Sequence, residues 1–253
     1  MSDRLIQYSV DRGVARIALD SPRNRNALSA ALVQELTDAL ARAGADRAVR
    51  AVELTHTGST FCAGADLAEA GAGGMKAGAV RVLTLLREIV ALPKPVVGSI
   101  DGHVRAGGLG LVGSCDIVLA GPASTFAFTE VRLGLAPAMI SLTTLPRMDP
   151  RAASRYYLTG EAFDAATAAR IGLITEAVED IDTATLAVLD ALRACSPQGL
   201  RETKPLLTAG ILDAFEARAE ALAEQSARLF GTDEAAEGMS AFLAKRPPSW
   251  ATG

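Results

Sequence analysis

Apolar positions along this chain alternate between strand-like and helix-like spacing, and each change of spacing marks an element. QYSVDRGVARIALD carries two β-prone runs on either side of Asp11-Arg12-Gly13, which predicts a hairpin closed by a tight turn. Ser29 precedes Leu32, Leu36 and Leu40, a recurrence that predicts a capped helix stopping near Gly44. AVELT (51–55) is a short buried strand, and the polar loop HTGST leads from it into FCAGADL. Val82, Leu86 and Val90 share one face of a helix over 79–92, ended by Pro93. PVVGSID predicts a strand that runs into the glycine-rich stretch GHVRAGGLGLVGSCD at 102–116. CDIVLAG and TFAFTE follow as two further strands. PAMISLTTL, PRAASRYYL and DAATAARIG alternate helix and turn, with Asp164 as an N-cap, Gly172 as a helix-ending glycine and LITEAV as a returning strand. Beyond Thr183 the pattern is nearly all helix, longest from GLRETKPLL through ARLFG.

Strands that alternate with helices up to about residue 180, followed by helices alone, define an α/β layer architecture with a C-terminal helical appendage. The boundary is placed between a core of residues 1–195 and a helical region of residues 196–253. A chain of 253 residues that is 49% hydrophobic can bury a full core. Its net charge of -4 argues against a generic nucleic-acid or membrane surface, both of which attract dense Lys/Arg clusters. Three cysteines and two histidines, widely spaced, match no metal-ligand pattern, so the expectation is a reduced, cytoplasmic setting without metal. MSDRLIQYSV lacks an apolar stretch of signal-peptide length, and no run reaches the roughly 18 apolar residues of a membrane span.

The glycine stretch is the first candidate for chemistry. It is not GxGxxG, no acidic residue follows at the end of a second strand, and the GK[ST] of a Walker loop is missing. Glycines also serve close helix–sheet packing. Against packing alone stands a second segment of similar design, FCAGADL: strand, small-residue turn, helix start. Such turns leave N–H groups unpaired at the first turn of a helix, and two of them facing one point hold a negatively charged oxygen.

FCAGADL, VVGSIDGHVRAGGLGLVGSCDIVLA and FAFTEVRLGLAPA, in this order, resemble the crotonase, or enoyl-CoA hydratase/isomerase, superfamily. The resemblance begins at RNRNALS (23–29), continues through RYYLTGEAFDAATAARIGLITEAV and ends at AFLAKRPP. It implies a spiral of ββα turns with a C-terminal helical trimerisation region, a homotrimer or dimer of trimers, and an acyl-CoA thioester substrate. Coenzyme A then enters as part of the substrate, and no separate cofactor is implied. The oxyanion hole of the family maps onto the backbone N–H groups of Ala63 and Gly107. Ala63, Gly64, Ala65, Asp66 and Leu67 map along the CoA moiety, and Lys245, with Phe242, onto a tail that reaches a CoA site across the trimer.

The family's hydratases carry two glutamates. The first maps to position 110, which here is Gly110, and the second to Glu130. Strand alternation places Glu130 on one face with Phe126 and Phe128, where desolvation raises a carboxyl pKa toward the range useful for proton transfer. One carboxylate suffices for a Δ3-to-Δ2 enoyl-CoA isomerase, and it serves a hydratase when other groups hold the water. The wording GGLGLV…CDI…EVRLGLAPA…IS is similar to hydratases of branched glutaconyl-type CoA esters, whose second carboxylate Arg105 or Arg132 would meet. A hydratase is the first expectation; an isomerase, or a degenerate acyl-CoA holder, is the alternative. His103 and Cys62 are expected to pack rather than react, and Arg23 and Arg25 either neutralise CoA phosphates or lie in solvent.

Overall fold

The computed structural model describes residues 4–66, 69 and 75–251. The chain opens with the hairpin β1 (Ile6–Asp11) and β2 (Val14–Leu19), paired from Ile6↔Leu19 to Asp11↔Val14. Arg12 and Gly13 take φ of 42° and 80°, the two left-handed positions that a two-residue hairpin turn requires. Helix α1 (Ala30–Ala45) starts at Ser29, whose side chain accepts the Leu32 N–H. It buries Leu32, Leu36 and Leu40 against the hairpin.

Three successive turns of chain then each give one strand to each of two sheets. Strands β3 (Ala51–His56), β5 (Val96–Ile100) and β7 (Ile117–Ala120) join the larger sheet, which runs β1-β2-β3-β5-β7 and ends on β10 (Glu176–Ala177). Strands β4 (Thr60–Cys62), β6 (His103–Arg105) and β8 (Thr125–Ala127) form the smaller one with β9 (Phe163–Asp164), in the order β4-β6-β8-β9. This is the expected spiral. The strands within each spiral series run parallel, and β5 is buried along its whole length, as a sheet covered on both faces demands. LITEAV contributes only β10 (Glu176–Ala177), parallel to β7.

Helices α2 (Met75–Ala91) and α3 (Gly107–Ser114) follow β4 and β6. The short α4 (Ser141–Thr144), α5 (Pro150–Thr159) and α6 (Ala165–Arg170) come next, the last capped by Asp164 and followed by Gly172 at φ 83°. The C-terminal part consists of α7 (Ile181–Ala194), α8 (Pro197–Phe230) and α9 (Asp233–Leu243). Helix α8 lies along α2 and is pinned by Lys204, which is only 4% exposed. Its ammonium donates to the carbonyls of Ile89 (3.0 Å) and Lys94 (3.1 Å) and pairs with Asp116 at 2.8 Å. Among the described residues no helix is long and apolar enough to cross a membrane.

Candidate active site

Strands β4, β6 and β8 run side by side in one direction, so the loops at their carboxyl ends open onto one place. Crevices outside the carboxyl ends of parallel strands are the usual ligand positions in α/β folds. From β4 the chain enters Ala63-Gly64-Ala65, from β6 Ala106-Gly107, and from β8 Phe128 to Glu130.

The first two loops share one device. Gly64 (φ 92°) and Ala106 (φ 45°, ψ -121°) each reverse the backbone, which turns the N–H of the following residue out of the strand direction. The donors so presented belong to Ala65 and Gly107. The two loops meet at backbone distance. A Cβ on Gly64 would lie 3.1 Å from the Gly107 nitrogen, and a Cβ on Gly107 would lie 3.8 Å from the Ala65 nitrogen. The Gly107 N–H is the first of α3 and has no carbonyl one turn back to bond.

Ala63 does not take the place expected for it. Its N–H donates to the Arg25 carbonyl at 3.1 Å and is consumed in holding the loop. Asn26 organises that contact. It is fully buried at φ 54°; its Oδ1 accepts the Ser21 N–H (2.6 Å) and its Nδ2 donates to the carbonyls of Thr57 (3.2 Å) and Thr60 (2.8 Å). The segment after it docks on the same loop, with the Leu28 N–H on the Gly64 carbonyl at 2.8 Å. That bond leaves the Ala65 N–H facing away from Leu28. A signal was present in FCAGADL: its single glycine is the residue suited to positive φ, and the N–H it reorients is the next one along.

Glu130 also departs from expectation in its backbone. Strand β8 stops at Ala127, and Glu130 sits in a short 3-10 helix, Thr129–Leu133, so it is not the third member of a strand face. Phe126 and Phe128 are fully buried, and Phe128 lies 4.3 Å, centroid to centroid, from Tyr157. The Oε2 atom of Glu130 is buried and has no hydrogen-bond partner. Burial pushes its carboxyl pKa up to about 7, partly opposed by a hydrogen bond from its own backbone N–H. Beside it runs a chain of hydroxyls. Thr144 Oγ1 donates to the Ile140 carbonyl at 2.7 Å, so in the 2.5 Å contact between Thr144 and Tyr157 the phenol is the donor. Burial raises the Tyr157 pKa, and the nearby Glu130 charge adds to the rise. The helical patterning of 150–159 gave no sign that Tyr157 would turn toward Glu130.

Gly110 neither holds an acid nor leaves an open slot. A Cβ there would lie 2.7 Å from Ile140 Cγ2 and 3.0 Å from Leu86 Cδ1, so apolar side chains fill the space. Arg105 donates to the carbonyls of Val104 (2.9 Å) and Thr125 (2.7 Å) and to the Thr125 hydroxyl (2.8 Å). Arg132 donates through Nε to the Thr159 carbonyl at 3.1 Å. Both arginines are thus engaged in holding neighbouring strands and helix ends. His103 shares the Thr125 hydroxyl at 2.8 Å, and Cys62 is fully buried with its thiol pushed up to about 12 by burial. Asp66 accepts from Asn24 Nδ2 at 3.4 Å, Arg23 and Arg25 are exposed, and Leu67 lies outside the described residues. Lys245 and Phe242 are exposed at the end of α9, Lys245 with φ 52°.

The chain belongs to the enoyl-CoA hydratase/isomerase family, whose model matches residues 9–253, and it has the crotonase fold of that family. It is 35% identical to a Thermus thermophilus protein named as an enoyl-CoA hydratase, over 94% of this chain and 98% of that one. The crystal structure of an enoyl-CoA hydratase from Mycobacterium avium matches with a TM-score of 0.93 and 55% identity, covering 98% of this chain and all of that one. A carnitinyl-CoA hydratase from the same species matches with a TM-score of 0.85 at 29% identity, over 99% of each chain. The protein is therefore an enzyme of a family whose members act on acyl-CoA thioesters and are commonly oligomeric.

Proposed function

We propose that the protein adds water to the double bond of a 2-enoyl-CoA thioester, with Glu130 as its acid/base and the N–H groups of Ala65 and Gly107 as its oxyanion hole. The observation that carries this reading is the meeting, at one set of strand ends, of two outward-turned N–H groups and a buried carboxyl with an unpartnered oxygen. Glu130 as the carboxylate takes a proton from water while the water oxygen bonds to Cβ. The electrons of the double bond move to the thioester oxygen, where the two N–H groups stabilise the enolate. A donor of this kind contributes about 3 kcal/mol in typical sites. The proton held on Glu130 then passes to Cα, and the carboxylate is restored.

The loop Ala63–Asp66, Leu67 after it and Lys245 take the CoA portion. The chain works as a homotrimer or dimer of trimers in the cytoplasm, with coenzyme A carried by the substrate and no separate cofactor. A second reading is favoured by the absence of any side chain at Gly110. A Δ3-to-Δ2 isomerase needs only one carboxylate, which removes a proton from Cα and returns it at Cγ. A panel of straight, branched and carboxylated 2-enoyl- and 3-enoyl-CoA esters, read by mass and ultraviolet absorbance, separates the two. A gain of one water indicates hydration, and unchanged mass with altered absorbance indicates isomerisation. Glu130→Gln abolishes either reaction while retaining CoA-ester binding; wild-type turnover by that variant sinks the assignment of Glu130. Binding without turnover of any ester by the wild type leaves a non-catalytic acyl-CoA holder.

A further inference from the structure

The turn that carries Glu130 is touched, backbone against backbone, by the C-terminal helix. Gly238 lies inside α9, and a Cβ there would come within 2.6 Å of the Leu133 carbonyl carbon and oxygen. The contact is reciprocal. Gly134 ends the 3-10 helix at φ 72°, and its Cβ would lie 2.7 Å from the Glu234 carbonyl carbon and 2.8 Å from the Ala235 nitrogen. At neither position is there room for a methyl group.

The turn is coupled tightly to the residue it carries. The Glu130 carbonyl accepts the N–H of Gly134, which caps the 3-10 helix, and the N–H of Leu135 at 3.0 Å. On the opposite flank, a Cβ on Gly160 (φ 60°) would lie 3.1 Å from the Phe128 carbonyl oxygen and from Arg132 Cγ. Residues 128–134 are thus gripped between the end of α5 and the first turns of α9. A displacement of α9 moves Gly134, and through two hydrogen bonds it moves Glu130.

We infer that α9 is the positioning element for Glu130, with Gly134 and Gly238 as positioning residues that let the helix backbone bear directly on the turn. This inference rests on the reading of Glu130 as the acid/base. It also explains a local conflict in the sequence, because glycine inside a helix weakens it and Gly238 is kept where alanine would be the better helix former.

Gly238→Ala separates helix strength from seating. The substitution strengthens α9 taken alone and wedges it off Leu133. Expected is a fall in kcat of at least about tenfold with KM within about twofold, since small misplacements of a reacting group cost that much or more. The apparent pKa in the kcat profile should also drop by about one unit, as the wedged turn admits water to the carboxyl. Gly210→Ala in α8, where a Cβ meets nothing within 4 Å, is the control and leaves both quantities unchanged. Unaltered kcat and pH profile in folded Gly238→Ala overturn the inference, as does a loss of kcat that merely follows the loss of folded protein. If Gly238→Ala fails to fold, Thr232→Ala replaces it, because Thr232 caps α9 by accepting the Ala235 N–H at 3.3 Å. That variant should show faster hydrogen exchange over 129–135 and a severalfold lower kcat; unchanged exchange overturns the inference. Should the wild type turn over no ester, the proposed function fails by itself. Exchange over 129–135 and carboxyl 13C titration of Glu130 in the same variants then decide the role of α9.

Discussion

Glu130→Gln is expected to stabilise the protein above neutral pH. The carboxyl is held at a folded-state pKa of about 7 by burial, against an ordinary value of 4.5. The folded state therefore favours the protonated form. Its contribution to stability is fully present below pH 4.5 and is lost as pH rises through about 7. A shift of that size, at about 1.4 kcal/mol per unit, amounts to as much as about 3 kcal/mol of ionisation penalty borne by the folded enzyme at pH 8. Glutamine keeps the shape and never ionises, so the penalty disappears. Urea unfolding of both proteins at one fixed chain concentration, from pH 4 to pH 9, measures the difference. Other titrating groups are common to both and cancel. With a urea m-value of about 3 kcal/mol/M, the midpoints should coincide near pH 4 and differ by about 1 M at pH 8. Midpoints that run parallel across the whole range refute the burial of this carboxyl as its cause.

Four further outcomes follow from the same geometry. The kcat of the wild type should rise with pH through about 7, because the step from water needs the Glu130 carboxylate; a flat profile from pH 5.5 to 8.5 contradicts this. Gly110→Glu should not restore a second acid: the side chain must displace Ile140 and Leu86, and overpacking of this kind costs about 1–3 kcal/mol before any charge is buried, so thermal melting should fall and hydration should not rise. Asn26→Ala leaves one N–H and two carbonyls unpaired and should cost about 3 kcal/mol, with a loss in kcat/KM through the displaced 63–65 loop that exceeds the loss in folded protein. Thiol titration should detect one reactive cysteine in the native protein, Cys195, and three in denaturant, since Cys62 and Cys115 are buried with thiols pushed up to about 12.

What the sequence determined by itself is local. The hairpin at Asp11–Gly13, the Ser29 and Asp164 caps, the helix end at Gly172 and the long α8 all follow from preferences that act within a few residues, and all are found. The ordered motifs also named three segments, FCAGADL, the glycine stretch and the one holding Glu130, that follow the carboxyl ends of the parallel strands β4, β6 and β8. Tertiary structure decided which atoms face that site. That the Ala63 N–H is consumed depends on Arg25 and Asn26, roughly forty residues earlier, because only the docked loop reveals which N–H is bonded. Neither β6 nor the 3-10 turn at Glu130 was legible, since three-residue elements carry too little periodicity to show. The sequence showed a glycine where the family's first glutamate maps, and only the fold shows that Ile140 and Leu86 fill the space around it. Tyr157 beside Glu130 and α9 against its turn join segments that no local preference connects. Hydrogen bonds and close packing are satisfied through space, so the identity of each partner exists only once the chain has folded.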